Sequence, residues 1–124
     1  MKKAFTMIEL IFVIVIIGIL AAIAIPKLAA TRSDAEGANI VACLATCINE
    51  AGNEYMMQAS FNHWTQTDNS TENCKTAREC FSFTEVDNTG TLTVNKLSSS
   101  EQKCIVAQAI ADNNLLSGSS SINF

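Results

Sequence analysis

The sequence predicts an α+β fold: a long N-terminal helix whose first half crosses a membrane, a small antiparallel sheet, and a second short helix. Three observations carry this. Residues 10–25 form a run of sixteen without a polar side chain. Beyond Pro26, apolar residues recur at helical spacing to about residue 58. Two short β-rich runs, CFSFTEV and TLTVNKL, then flank the turn-forming tetrapeptide DNTG.

The first element spans residues 5–25. At about 1.5 Å per residue it reaches about 32 Å as a helix, close to the roughly 30 Å hydrocarbon thickness of a bilayer. Its β-branched residues do not oppose a helix there, because lipid offers the backbone no other partner. Lys2 and Lys3 precede the span while Lys27 and Arg32 follow it, so the charge bias across it is slight. Gly18 lowers helix preference within the span, and Pro26 lacks an amide hydrogen and crowds the preceding turn. Both are expected to loosen or kink the helix.

Glu9 is the only charged residue between Lys3 and Lys27. A carboxylate held in hydrocarbon costs on the order of a few kcal/mol unless a cation faces it. As a secretory signal peptide, the segment would be cut after Ala22-Ile23-Ala24, with Glu9 out of place before the apolar run. As a plain anchor, Glu9 would snorkel to the interface.

The helix continues amphipathically. Ile40, Leu44, Cys47, Ala51 and Tyr55 recur at spacings of three and four, with Cys43 and Ile48 beside them. One helix over residues 5–58 follows, although Gly37 and Gly52 weaken it locally. Residues 60–79 lack periodicity and are rich in loop formers, so they read as a connection. CFSFTEV and TLTVNKL read as two strands of a hairpin turning at Asp87-Asn88-Thr89-Gly90. Ser98 followed three residues later by Glu101 matches a capping box. It predicts a helix over 99–114 that buries Ile105, Val106, Ala109 and Ile110. Residues 117–121 read as a flexible joint, SINF as a short last strand. There are no internal repeats.

Catalytic chemistry has little to work with. His63 is the sole histidine and sits beside Trp64 in a polar stretch, with no Cys-His or Ser-His-Asp pattern near it. Asp87 and Asn88 are too few ligands for a calcium loop, and Asn69-Ser70-Thr71 is a glycosylation triplet common by chance. No enzyme activity and no cofactor is expected. Beyond residue 27, five basic residues stand against eleven acidic ones, a net of −6, with no basic patch interleaved with aromatics. Direct nucleic-acid binding is therefore not expected.

AFTMIELIFVIVIIGILAAIAIPK, preceded by Met-Lys-Lys, resembles the N-terminal segment of type IV prepilins and type II secretion pseudopilins with a class III-type leader. The similarity covers roughly residues 1–32. It implies a 1–4 leader, a 5–25 transmembrane and assembly helix, its amphipathic continuation over 26–58, and a 59–124 α+β head. A pilin-like architecture would lay the sheet against the second half of the long helix. A prepilin peptidase would cut between Ala4 and Phe5 and methylate the new Phe5 amine. Most family members have Gly before the cut; Ala4 is the next smallest side chain, so slower cleavage is expected. The acid at Glu9 would meet the amine of Phe5 on a neighbouring subunit during assembly, a register key rather than a catalytic group. Gly18 and Pro26 would let the helix partly melt as subunits pack.

The implied partners are further copies in a helical polymer, the peptidase, an assembly ATPase, a platform membrane protein and the inner membrane. The head would lie in the periplasm until incorporation into a pilus or pseudopilus. Pilus, secretion pseudopilus and competence filament all use such a segment, and the sequence does not separate them. The alternative is a membrane-anchored or secreted periplasmic binding module that does not polymerise.

That compartment bears on the five cysteines, Cys43, Cys47, Cys74, Cys80 and Cys104, all beyond the span. Disulfides persist in the periplasm, and five cysteines allow two bridges and one thiol in fifteen arrangements. Cys74 and Cys80 are expected to pair with Cys43, Cys47 or Cys104. Cys43 and Cys47, one helical turn apart, do not resemble a zinc knuckle.

Overall fold

The structure, a computed structural model, describes residues 4–61, 71–116 and 120–124. His63, Trp64, Asn69 and part of the 117–121 joint lie outside these. The chain divides into two compact units, Met1–Arg32 and Ser33–Phe124. The elements are α1 (Met7–Gln58), α2 (Glu72–Ala77), β1 (Phe81–Val86), β2 (Thr91–Lys96), α3 (Gln102–Asn114) and β3 (Ser121–Asn123).

In the first unit, α1 stays helical through both Gly18 and Pro26. Thr31 Oγ1 donates back to the Lys27 carbonyl at 2.9 Å, one turn beyond the proline. Large apolar side chains here are exposed: Phe12 is 66% exposed and Ile16 43%. Such a surface is unstable in water and suited to lipid or to other apolar helices.

In the second unit, the three strands form one antiparallel sheet in the order β1-β2-β3. Phe81 pairs with Lys96 and Val86 with Thr91, leaving a four-residue connection closed by a 3-10 turn over Asp87–Thr89. Gly90 follows the turn at φ 62°, a left-handed conformation that glycine adopts without steric cost. A side chain there would also strike the Tyr55 ring.

The core packs one face of this sheet against α1 and α3. Phe81, Leu92 and Val94 meet Ile40, Leu44, Cys47 and Ala51 of α1, and Cys104, Ala107 and Ala111 of α3. The stripe expected on α1 is the buried one, with Gly37 and Gly52 added to it. Gly37 is needed for close approach: a Cβ there would lie 2.7 Å from Val106 Cγ1 and 3.1 Å from the Ala107 amide nitrogen. Gly37→Ala is therefore expected to destabilise the head by about 1–3 kcal/mol through overpacking, outweighing the helix-propensity gain of about 1 kcal/mol. Denaturant unfolding of the two proteins would measure it; unchanged stability would mean that α3 shifts freely.

Two disulfides fasten the helices to this core. Cys47 of α1 is bonded to Cys74 of α2, and Cys80 before β1 to Cys104 of α3; Cys43 remains a half-buried thiol. Around the first bridge, the Glu50 carboxylate accepts from Thr71 Oγ1 and, at 3.5 Å, from Asn73 Nδ2. Around the second, Gln108 Nε2 donates to the carbonyls of Cys80 (3.0 Å) and Leu97 (2.9 Å). Lys103 bridges Glu79 at 2.9 Å and Glu101 at 3.3 Å.

Three expectations need correction. The 60–79 connection contains α2, which is N-capped by Thr71, whose side chain accepts from the Cys74 amide. The capping box at Ser98 does not form. Instead Ser99 Oγ accepts from the Glu101 amide at 3.2 Å, Glu101 holds the cap position, and α3 starts at Gln102. Finally, α3 buries Cys104, Ala107 and Ala111, while Ile105 and Ala109 are exposed. The disulfide and the Gly37 crossing set its rotation.

The chain end is also docked. The Phe124 amide donates to the Gly90 carbonyl at 2.9 Å, and its ring tilts onto Phe61 at 6.1 Å. Phe61 in turn stacks on Tyr55 at 4.9 Å.

Candidate assembly site

The start of α1 is built by a local motif. The Thr6 amide donates to Glu9 Oε2 at 2.9 Å, and the Glu9 amide donates to Thr6 Oγ1 at 3.3 Å. This reciprocal pair is a capping box: it satisfies two backbone amides at the helix start that have no partner within the helix. It also fixes the Glu9 side chain toward the N-terminus. The signal in the sequence is Thr-x-x-Glu before an apolar run, which goes unused when Glu9 is taken only as a charge. An acid at this end is also favoured by the helix dipole.

This changes the account of Glu9 as a lone carboxylate. One of its oxygens already has a partner within the chain. The site therefore combines a pre-oriented acid with an apolar surround. Phe5, Ile8, Glu9, Phe12 and Val13 line a shallow hollow of about 360 Å³, and Ala4 and Thr6 lie on its neighbour beside Phe5 and Glu9. The structure thus brings Ala4, Phe5 and Glu9 together at one end of α1. Gly18 and Pro26 lie further along the same helix and are not part of this hollow.

A second acid, Asp87, is held where the β1–β2 turn meets the end of α1. The Asp87 carboxylate accepts from the Phe61 amide at 2.9 Å and from Ser60 Oγ at 3.5 Å, while Tyr55 donates to the Asp87 carbonyl at 3.1 Å. Asp87 thus staples the turn to the helix end. No cluster of three or more metal-ligating side chains occurs among the described residues.

Burial pushes the Glu85 carboxyl above its ordinary range; Arg78 pulls it down, while Asp87 and Glu54 push it further up. A carboxyl raised in the folded state favours its neutral form there. It adds stability as pH falls through the raised value and withdraws it above. Glu85→Gln should accordingly raise the melting temperature at pH 7, with the gain shrinking toward pH 4. Thermal melts at both pH values would check this, and a gain that grows on acidification would contradict it.

A capped acid at the start of a helix that is long and apolar enough to cross a membrane, followed by a small disulfide-bonded α+β unit, defines the class of protein. The family profile described as the prokaryotic N-terminal methylation motif matches residues 1–25. The chain is also 36% identical over 113 residues to the type IV narrow pilus major component PilA5 of Thermus thermophilus, an alignment covering 75% of this chain and 97% of that one. No solved structure matches the chain. The chain belongs to the type IV pilin family.

Proposed function

We propose that this chain is a structural subunit of a type IV pilus, cleaved between Ala4 and Phe5 by a prepilin peptidase, methylated on the Phe5 amine, and polymerised through α1. The single observation that carries this is the pairing of a pre-oriented Glu9 with an exposed apolar helix surface. Lipid would accommodate that surface before assembly, and the same surface on other subunits would replace lipid afterwards. The name of the Thermus relative favours a pilus over a secretion or competence pseudopilus. An assembly ATPase and a platform membrane protein would extract the subunit from the inner membrane, with the head on the periplasmic side. The two disulfides support that side, because such bonds persist there.

In this reading Glu9 Oε2 stays on the Thr6 amide, and the other carboxylate oxygen meets the ammonium of an incoming subunit's Phe5. Methylation keeps that nitrogen basic, so the pairing survives the modification.

Intact mass and N-terminal peptide analysis of membrane-extracted protein test the processing step. The expected chain starts at methylated Phe5. A start at Met1, or near Ile25 as a secretory signal would leave, overturns it.

A further inference from the structure

The junction between the C-terminal end of α1 and the hairpin holds a carboxylate without a donor. Glu54 lies one turn from the end of α1, whose last turn contains no basic residue. The helix dipole disfavours an acid there. Glu54 Oε1 is buried and has no hydrogen-bond partner, the one such side-chain atom among the described residues. Glu85 approaches from the sheet. It alternates with Phe81 and Phe83 along β1, which puts it on the strand face that packs toward α1. Tyr55, next to Glu54, donates its hydroxyl to the carbonyl of Asp87, two residues beyond Glu85, at 3.1 Å. That bond holds both acids at the same junction.

The charges that face Glu85 among the described residues are Glu54 of α1, Asp87 of the turn and Arg78 beyond α2, while β2 places uncharged Leu92 opposite it. One cation therefore meets three acids, and its guanidinium also lies over the Phe83 ring at 5.9 Å. The Asp87 carboxylate already accepts from the Phe61 amide and the Ser60 hydroxyl. Burial first, then the charges of Asp87 and Glu54, hold the Glu85 carboxyl above its ordinary range against the pull of Arg78.

We infer that Glu85 and Glu54 form a proton-operated clasp between the hairpin and α1. A protonated Glu85 carries one O–H donor, and Glu54 Oε1 is the buried acceptor that lacks one. With the proton bound, Glu85 donates to Glu54, the two groups carry one negative charge instead of two, and the hairpin is tied to the helix end. When the proton leaves, repulsion replaces the bond. The turn then rests on Tyr55, on the bond from the Phe61 amide to Asp87, and on the bond from the Phe124 amide to the Gly90 carbonyl. The sign follows from the raised Glu85: the added stability is complete at low pH and is lost as pH rises through the Glu85 value. The clasp works within one subunit, whether or not the chain polymerises.

The test is amide hydrogen exchange of the full chain in neutral detergent at pH 7 and pH 5, corrected for intrinsic rates. The Gly90 and Phe124 amides report on the turn. The Leu97 amide, bonded to the Cys80 carbonyl at the disulfide end of the hairpin, is the internal control. In the parent, protection at Gly90 and Phe124 should rise about tenfold from pH 7 to pH 5, the effect of one hydrogen bond to a charged group, with Leu97 unchanged. Glu85→Gln carries a permanent donor and should show the high protection at both pH values. Glu85→Met, unbranched and of similar length, removes the same charge without offering a donor, and should stay low at both. Glu54→Met removes the acceptor and should abolish the response. The proposal is overturned if the parent shows no rise, or if Leu97 rises equally and acid acts on the whole fold. Equal protection in Glu85→Met and Glu85→Gln would reduce the effect to relief of repulsion and also overturn it. So would a parental response retained in Glu54→Met.

Discussion

Glu9→Val is expected to leave membrane insertion and the head intact while lowering recovered filament more than about tenfold. Under the proposed assembly, a carboxylate–ammonium pair formed in apolar surroundings would exist only between subunits, and its loss would recur at every addition. A deficit of about 1.4 kcal/mol per contact already amounts to tenfold in the equilibrium for adding a subunit. The capping geometry makes a second substitution more informative. Gln is as competent as Glu at the third position of a capping box, so Glu9→Gln keeps the bond from the Thr6 amide while removing the charge. If the acid acts by pairing with a neighbour's amine, Gln should fail about as badly as Val. If it acts only by capping its own helix, Gln should assemble normally. Asp, shorter by one methylene, should fall between Glu and Val. Sheared filament compared with membrane-inserted monomer for each variant gives the answer, and normal yield from both Gln and Val would remove Glu9 from the mechanism.

The second large effect concerns the bridges. Cys80→Ala/Cys104→Ala opens a 24-residue loop. The denatured chain gains freedom equivalent to about 3 kcal/mol, a melting-temperature loss of roughly 10–20 °C for a domain of this size. Opening Cys47–Cys74 acts more locally. Six-residue α2 cannot persist as an isolated helix, and its start would keep the Glu50 contacts to α1. Non-reducing alkylation and peptide mapping should label Cys43 and leave the other four unlabelled. Alkylation of all five in native protein would refute both bridges.

Much of this fold was legible because its signals are periodic. Ile40, Leu44, Cys47 and Ala51 name the buried face of α1, and the alternation in FSFTEV and TLTVNK names both strands to within a residue. What failed was what sequence distance hides. The face of α3 is set by a disulfide to a residue 24 positions earlier and by the missing side chain of Gly37, so Ile105, the more apolar choice, is left 48% exposed. Ser98 and Glu101 have the right spacing for a cap, but Ser99 takes the Glu101 amide first. The same spacing at Thr6 and Glu9 does form the cap. It is easily missed, because a charge in an apolar run draws attention away from the backbone partner beside it.

The covalent bridges also limit how far the head could lengthen under mechanical load. A protein strand pulled to full extension gives about 3.3–3.6 Å per residue. The Cys47–Cys74 and Cys80–Cys104 loops enclose separations of 27 and 24 residues. While oxidised, each withholds roughly 80–95 Å of contour from a pulling force. Even if α1 and the sheet were torn apart, these stretches would stay short. Rupture of the fold would then be a brief, recoverable slip, and the head could re-form around two intact knots once tension fell.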